Sequence, residues 1–443
     1  MPRLAAWKVL RSGSTTPLRS VDAHAAGLDE RDRGLVRAIV GHEVRRRGTL
    51  RAVVRHLSER SLKPDLAAHL HVGLTQVLFL DRVPPHAAVS ETLGAVERTL
   101  GQSKVPLVNA ILRNALRMRR DGAVGDPRRD LVGRDAHLAD AVFRDPSEHP
   151  LLWAEDALSC PSQLLKRWTK RHGRERAEAL ARAALTEPPV CVRGVGLDRD
   201  QTAAALEAVG IPSRAGAHAS SVRIESDATK ALLASEPFQA GRLVVQGETA
   251  LAAAERVGAT AGERVLDLCA APGGKTMALL ERGAHVTAVD VSAERLERVR
   301  ESAARLALTE RLTIVEADGT ADWDDPTGDA PYDAALVDAP CSNTGVLAAR
   351  PGARWRFGPS ALKQLGAMQS DLLERAAARV RPGGRLVWST CSLEPEENGQ
   401  LVRRFLEGHP DWTLEAAHEA LPDGHEGSPV DGGGHALLVR SES

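Results

Sequence analysis

Short apolar runs alternate with helical segments from Gly241 to the end of the chain, and this alternation restricts the fold more than any other feature. The predicted strands cover residues 264–267, 285–290, 312–315, 334–338 and 385–389, with a late strand at 436–439. Helical segments separate them, notably at 293–306 and 360–380. Such alternation is typical of a doubly wound parallel sheet covered by helices. The sequence therefore predicts a C-terminal α/β domain over residues 239–443.

The N-terminal part of the chain has a different pattern. Residues 1–120 carry apolar side chains at helical spacing, with breaks at Pro64 and at Pro84-Pro85, and predict an all-α bundle. Residues 121–150 are rich in Arg, Asp, Gly and Pro and are interpreted as a linker. Residues 151–238 begin with a basic helix and continue with short alternating stretches, which predict a small α+β module.

Charge is distributed unevenly along the chain. Residues 1–150 contain 25 Lys and Arg against 17 Asp and Glu, whereas the remainder contains 33 against 42. The basic excess, with arginine clusters at 45–55 and 113–120, favours a nucleic acid as partner. Two alternatives stay open, because basic helices are often simply solvated and cations at a helix C-terminus suit the helix dipole.

Cysteine spacing and hydropathy exclude several classes of protein. The five cysteines include no Cys-x-x-Cys pair, which argues against a disulfide framework and a structural zinc site, so we expect no metal. No stretch has the length and hydropathy of a signal peptide or a membrane span. We therefore expect a cytoplasmic protein without a membrane partner, and a monomer.

Two cysteines, Cys341 and Cys391, follow predicted strands in polar, turn-prone sequences, DAPCSNTG (338–345) and STCSLEPEEN (389–398). Ligands of open α/β sheets bind at the carboxyl ends of the strands, so both thiols are expected at one crevice. A thiolate there is a potential nucleophile. Free cysteine is also a common buried packing residue, and this interpretation is preferred for Cys160, Cys191 and Cys269.

The first predicted strand runs into a glycine turn, DLCAAPGGKT (267–276). The turn matches neither the GxGxxG dinucleotide pattern nor the complete P-loop pattern. Acidic residues end successive strands at Asp267, Asp290 and Asp318. This combination suits a cationic adenosine ligand such as S-adenosylmethionine, although each carboxylate taken alone is more often a helix cap.

Together these motifs resemble the Sun (RsmB-type) family of RNA (cytosine-5) methyltransferases over nearly the whole chain. Residues 267–276, 338–345 and 389–398 resemble its cofactor, Asp-Ala-Pro-Cys and Thr-Cys-Ser motifs, and residues 1–120 resemble its NusB-like RNA-binding domain. The resemblance implies a Rossmann-like class I methyltransferase domain, S-adenosylmethionine as cofactor, and RNA, chiefly 16S ribosomal RNA, as partner. The cofactor-binding residues that it implies are Cys269, Ala270, Ala271, Pro272, Gly273, Gly274, Lys275, Asp290, Asp318 and Asp338.

The resemblance also implies a covalent mechanism. Cys391 would attack C6 of a cytosine so that C5 can accept the methyl group, and Cys341 would help to remove the C5 proton and release the adduct. Asp338 would hydrogen-bond the cytosine edge. DNA cytosine-5 methyltransferases use a Pro-Cys cysteine as nucleophile, which would give that role to Cys341, whereas the Thr-Cys-Ser motif and the NusB-like domain favour Cys391.

Some positions depart from the family pattern, although the three catalytic motifs are intact. Gln246-Gly247-Glu248 stands where the family usually has Gln-Asp-Glu, and residues 431–435 lack the usual aromatic after Asp-Gly. Activity is still expected. Two other functions are considered: the same reaction on transfer RNA, and a non-catalytic RNA-binding or ribosome assembly factor with an idle methyltransferase fold.

Overall fold

The computed structural model describes residues 1–14, 16–58, 61–328, 330–422 and 428–442. The chain forms two compact units. One consists of Met1–Thr186 with Leu347–Arg356, and the other of Glu187–Val346 with Phe357–Ser443. The finer division into 1–120, 121–150, 151–238 and 239–443 stays a prediction.

The N-terminal unit is mainly helical, as predicted. Its elements are α1 (Pro2–Arg11), α2 (Val21–His24), α3 (Glu30–Leu57), α4 (Pro64–Phe79), α5 (Pro85–Leu100), α6 (Val105–Met118), β1 (Arg119–Asp121), β2 (Ala136–Leu138), α7 (Pro150–Ala157), α8 (Ser162–His172) and α9 (Arg174–Ala183). The predicted breaks are helix starts, because Pro64 and Pro85 occupy first positions where no backbone N–H is needed. Among the described helices, none combines the length and apolar composition needed to cross a bilayer.

The stretch 121–150, interpreted from the sequence as a linker, contains ordered structure. β1 and β2 pair antiparallel, with Arg119 opposite Leu138. Leu131 and Phe143 are buried, and the indole N–H of Trp153 donates to the carbonyl oxygen of Pro127 at 2.8 Å. These contacts hold the stretch against the helices of its own unit.

The second unit begins with a small antiparallel sheet in the order β4-β5-β3-β6. Its elements are β3 (Val190–Gly194), α10 (Arg199–Glu207), β4 (Arg214–Ala215), β5 (Ser221–Ile224), α11 (Thr229–Ala234), α12 (Glu236–Gln239) and β6 (Leu243–Val245). Val192, Leu206 and Val222 form its core with other aliphatic residues. The predicted α+β character of this part is confirmed.

A seven-stranded sheet forms the rest of the second unit, in the order β12-β13-β11-β10-β7-β8-β9. Its elements are α13 (Glu248–Arg256), β7 (Arg264–Leu268), α14 (Gly274–Glu281), β8 (His285–Asp290), α15 (Ala293–Arg305), β9 (Leu312–Glu316), β10 (Tyr332–Asp338), α16 (Pro359–Ala378), β11 (Val380–Thr390), α17 (Gly399–Gly408), β12 (Trp412–Ala420) and β13 (Gly433–Arg440).

The strands from β11 to β9 are parallel, which confirms the predicted doubly wound fold. The late strand, β13, pairs antiparallel with β11, so the sheet is mixed rather than wholly parallel. β12 was not predicted, because most of its side chains are exposed and few of them are β-branched or aromatic. The carboxyl ends of β7, β8, β10 and β11 all meet at one edge of the sheet.

Candidate active site

The two cysteines singled out in the sequence meet at this carboxyl edge. β10 and β11 are parallel neighbours, with Asp338 opposite Ser389, so the loops that follow them start side by side. The Sγ atoms of Cys341 and Cys391 are 3.2 Å apart. Both are free thiols, with Cys341 buried and Cys391 partly exposed.

A hydrogen-bond network joins the two cysteine loops. The hydroxyl oxygens of Ser342 and Ser392 are 3.0 Å apart, and the Gly345 N–H donates to the carbonyl oxygen of Cys391 at 3.0 Å. Glu397 is completely buried. Its carboxylate accepts the Ser342 N–H at 2.9 Å and the hydroxyl groups of both serines. The two loops are therefore fixed to each other beside the thiols.

Asn343 aims its side chain at Cys391. Its backbone has φ +59°, in the left-handed region that Asn tolerates better than most residues. The side-chain Nδ2 donates to the carbonyl oxygen of Cys341 at 2.6 Å, and Oδ1 accepts from Cys391 Sγ at 3.3 Å. The Cys391 sulfur thus has two neighbours that restrict its position.

The surroundings raise the pKa of Cys341 well above the ordinary range of a thiol. The hydrogen bond with Cys391 is the largest cause, burial is the second, and the negative charges of Cys391 and Glu397 add to them. Two adjacent sulfurs resist carrying two charges. Cys341 therefore holds its proton more firmly than an ordinary thiol does.

Of the other three cysteines, Cys160 and Cys191 are buried and Cys269 is partly buried. Burial raises the pKa of Cys160 and of Cys191 to about 12, and it also raises the pKa of Cys269 above the ordinary thiol range. A neutral thiol is a poor nucleophile. This agrees with the packing role expected for these residues.

Asp338 connects the cysteine edge to the glycine turn. Its Oδ2 is 2.7 Å from Nζ of Lys275, which lies in the first turn of α14. Ser389 Oγ donates to the other carboxylate oxygen at 3.4 Å. The Asp338 side chain is 39% exposed, so it can still contact a bound molecule.

The glycine turn after β7 has a backbone that requires glycine. Gly273 has φ +101°, and a β-carbon there would lie 3.3 Å from Val299. Asp290, at the end of β8, accepts the N–H of Ala271 at 3.2 Å and the N–H of Ser292 at 3.1 Å. The turn and the Asp290 carboxylate therefore form one connected structure.

Two buried polar atoms near this turn have no hydrogen-bond partner within the described residues, Oδ1 of Asp267 and Nε2 of Gln246. Burial raises the pKa of Asp267 to about 7, and the Thr276 hydroxyl donates to its other oxygen at 2.6 Å. Gln246 Nε2 lies 3.9 Å from where a β-carbon on Gly274 would stand. A free acceptor and a free donor beside a glycine turn fit the ammonium and carboxylate groups of S-adenosylmethionine.

Asp318, the third predicted acidic strand end, follows β9 at the same edge of the sheet. Its exposed carboxylate accepts the N–H and the hydroxyl group of Thr320, at 2.9 and 2.7 Å. The backbone hydrogen bond is the main reason why its pKa is lowered. These contacts cap its own loop, and a role in cofactor binding stays a prediction.

The departure at Gln246-Gly247-Glu248 leaves no gap. A β-carbon on Gly247 would lie 2.2 Å from Oδ2 of Asp431, so that carboxylate already occupies the side-chain space of position 247. Glu248 is held by Arg223 at 2.6 Å and by the Ser221 hydroxyl at 2.7 Å. The chain before β7 is therefore anchored despite the substitution.

The arginine cluster of α3 divides into two groups. Arg45 and Arg46 are buried and donate to the carbonyl oxygens of Ala348 at 3.0 Å and Val132 at 2.6 Å. Their charges satisfy backbone groups within the N-terminal unit. This pair is structural, contrary to the interpretation of the whole cluster as a surface for nucleic acid.

The second group lines a cavity of about 490 Å³, whose charged and titratable lining residues are Arg11, Glu43, Arg47, Arg51, Arg55 and His71. Arg47 pairs with Glu43, and Arg55 pairs with Asp156, each at 2.9 Å. In the described part of the chain Arg51 has no ion pair or hydrogen bond, and its guanidinium lies 5.5 Å from the Trp355 ring centre. Arg51 is therefore the cation of this cavity that is available to an anion.

Sequence reasoning gave no role to Glu397, Asn343 or Gln369. Glu397 and Asn343 stand inside the two cysteine motifs, where a polar residue near a thiol was an available signal. Gln369 lies within α16 and donates to Glu397 Oε1 at 3.0 Å and to the carbonyl oxygen of Pro340 at 2.8 Å. Its distance along the chain from both motifs left no signal in the sequence.

Comparison with known proteins agrees with this geometry. The model of a family described as 16S rRNA methyltransferase RsmB/F matches residues 257–428, and a NusB family model matches residues 4–117. Ribosomal RNA small subunit methyltransferase B of Pseudomonas putida is 33% identical over 420 residues, which cover 92% of this chain and 89% of that protein. The protein of the same name from Pseudomonas syringae pv. tomato is 34% identical over 422 residues, 91% of this chain and 86% of its own.

Solved structures share the fold. The crystal structure of a protein called PH0851 superposes with a TM-score of 0.76 at 22% identity and covers 99% of this chain and 98% of that one. A methyltransferase homolog protein from Pyrococcus horikoshii superposes with a TM-score of 0.55 at 23% identity, over 67% of this chain and 100% of its own.

Proposed function

The chain belongs to the RsmB/F family of 16S rRNA methyltransferases, and we propose that it methylates C5 of a cytosine through a transient bond between Cys391 and C6. The observation that carries the proposal is the 3.2 Å separation of the Cys341 and Cys391 sulfurs at the carboxyl edge of the sheet. C5 of cytosine is a poor nucleophile until a group adds to C6. A thiolate is the side chain best suited to that addition.

The proposed reaction uses the two sulfurs in sequence. The Cys391 thiolate forms an S–C6 bond, the ring accepts a proton, and C5 becomes electron-rich. S-adenosylmethionine is the cofactor, and when bound it supplies an electrophilic methyl group. After C5 has bonded to that methyl group, Cys341, having released its own proton to water, takes the proton from C5. The S–C6 bond then breaks, the ring releases the proton that it accepted, and the aromatic ring and the Cys391 thiolate are restored.

The raised pKa of Cys341 supports this division of roles. While Cys391 is free, its hydrogen bond with Cys341 holds a proton on Cys341. Once Cys391 is bonded to C6, that sulfur no longer carries a charge beside Cys341, and the largest cause of the raised pKa is removed. Cys341 then becomes able to act as a base at the step that needs one.

Asp338 and Lys275 are proposed to orient the base and neutralise charge. Their 2.7 Å ion pair stands at the end of β10, between the glycine turn and the thiols. The Asp338 carboxylate would accept from the exocyclic amine of cytosine, whose reacting ring must be unpaired or flipped out of a helix to reach the sulfurs. The cofactor is proposed to be held by residues 269–275 with Asp290, Asp318 and Asp338.

The proposed substrate is 16S ribosomal RNA, since the matching family is described as 16S rRNA methyltransferases and the relatives with 33% and 34% identity are named as methyltransferases of small-subunit ribosomal RNA. Transfer RNA remains the alternative substrate. Bisulfite mapping of cellular RNA with and without this protein distinguishes them. A mark that disappears from 16S RNA supports the proposal, and one that disappears only from transfer RNA overturns the substrate assignment.

The role of each sulfur is tested with two variants and unmethylated 16S RNA. Cys341→Ala is expected to accumulate a protein–RNA adduct that survives a denaturing gel, because attack proceeds but release is blocked. Cys391→Ala is expected to form none. The reverse pattern would assign the attack to Cys341.

A further inference from the structure

The carboxylate of Glu397 is completely buried, and within the described part of the chain its hydrogen-bond donors are Ser342, Ser392 and Gln369, none of them a cation. It accepts the Ser342 N–H at 2.9 Å and the Gln369 Nε2–H at 3.0 Å, both on Oε1. Its Oε2 accepts the hydroxyl groups of Ser342 and Ser392. A buried carboxylate is costly unless donors compensate it, and these four bonds offset that cost.

These four donors come from three different parts of the chain. Ser342 follows Cys341 directly, Ser392 follows Cys391 directly, and Gln369 lies on α16. Gln369 also donates to the carbonyl oxygen of Pro340, the residue before Cys341. One carboxylate therefore holds the residue next to each thiol, and α16 holds the carboxylate.

We propose that Glu397 is a positioning residue that sets the distance between the two sulfurs. It touches neither sulfur and acts through Ser342 and Ser392. This role rests on the proposed function, because that reaction needs one sulfur at C6 and the other at the proton on C5. The thiol spacing itself can be measured without RNA or cofactor.

Glu397 also acts on Cys341 through its charge. Its negative charge is one of the causes that raise the pKa of Cys341. The carboxylate thus favours a protonated Cys341 before the attack, as well as holding both loops. Glu397→Gln and Glu397→Ala separate the two contributions, because glutamine keeps a bridge between the loops without the charge.

The test is oxidation of the full-length protein with diamide, which removes one hydrogen from each thiol to form the S–S bond and is itself reduced to the hydrazine. Wild type, with sulfurs 3.2 Å apart, is expected to form a Cys341–Cys391 disulfide rapidly, measured by mass spectrometry. Glu397→Ala is expected to form it at least about tenfold more slowly. Glu407→Gln, an exposed position on α17, serves as the control and should match wild type.

A second readout separates positioning from a loss of folding. Glu397→Ala is expected to lower kcat for methyl transfer by about 100-fold while KM for RNA stays unchanged. Glu397→Gln is expected to lower the pH at which Cys341 ionises and to form the disulfide no more slowly than wild type. If Glu397→Ala does not fold, Ser342→Ala and Ser392→Ala each remove one donor and should each slow the disulfide by a smaller factor.

An unchanged disulfide rate in Glu397→Ala, or in both serine variants if they are used instead, overturns the inference. Failure of the proposed function looks different. In that case the disulfide rates would still follow Glu397, while no cytosine would be methylated by wild type.

Discussion

At Gly345 even the smallest added side chain should damage the active site. A β-carbon there would lie 2.5 Å from the carbonyl carbon and oxygen of Gly432 and 3.0 Å from the carbonyl oxygen of Cys391. All three contacts are backbone atoms, which cannot rotate away. To reach an ordinary separation of about 3.5 Å, the chain at Gly432 has to move by about 1 Å.

That displacement reaches Cys391, the proposed nucleophile, directly. The Gly345 N–H donates to the carbonyl oxygen of Cys391 at 3.0 Å, and the Gly432 N–H donates to the carbonyl oxygen of Gly345 at 2.7 Å. Gly345→Ala therefore pushes on the two segments that it hydrogen-bonds. A misplacement of about 1 Å at reacting groups costs roughly 100-fold in rate, whereas overpacking of this size costs about 1–3 kcal/mol of stability.

The assay is single-turnover methyl transfer from labelled S-adenosylmethionine to unmethylated 16S RNA, with thermal unfolding of each variant alongside. Gly345→Ala is expected to remain folded at the assay temperature and to lose about two orders of magnitude in rate. Gly366→Ala is the matched control, since it lies in α16 with nothing within 4 Å of the added carbon. A Gly345→Ala rate equal to that of the control would refute the argument that backbone contacts hold Cys391 in place.

Two further predictions concern charges outside the thiol pair. Because the folded pKa of Asp267 is about 7 and its ordinary value is 3.8, the folded state keeps a proton that the unfolded chain loses, so the free energy of unfolding should fall as pH rises towards 7. Asp267→Asn should remove roughly 4 kcal/mol of this fall, measured by urea unfolding at pH 4 and pH 8 without cofactor. An identical pH dependence in both proteins would contradict it. Arg51→Ala should weaken RNA binding and reduce the steepness of log affinity against log salt concentration by about 1. The control Arg33→Ala, at an exposed position on the same helix, should change neither the affinity nor the salt dependence. A flat salt response in wild type would exclude phosphate contacts as the source of affinity.

Local pattern was sufficient to predict most of the catalytic sheet. β7, β8, β9, β10 and the end of β11 lie where apolar runs predicted strands, and α15 and α16 match the predicted helices within two residues at either end. The antiparallel edge of the sheet was harder to predict, because the sequence of β12 has weak strand propensity and the strand forms by pairing with β13. Strand formation there depends on a partner that local sequence does not specify.

The candidate site, like the sheet, could be predicted from the sequence only in part. Sequence motifs identified Cys341, Cys391, Asp338 and the glycine turn, because loops after parallel strands must meet at one edge. The motifs did not give the distance between the two sulfurs, and they did not say which sulfur holds a proton. Both depend on the register of β10 against β11 and on a carboxylate that the fold buries between the two loops.

The arginines of α3 mark the limit of sequence reasoning most clearly. Five arginines in eleven residues gave the N-terminal part its basic character. Only tertiary packing decided that Arg45 and Arg46 satisfy backbone carbonyl groups, that Arg47 and Arg55 are paired with carboxylates, and that Arg51 is available. Composition fixes the number of charges, but the neighbours that neutralise them come from distant parts of the chain and exist only once it has folded.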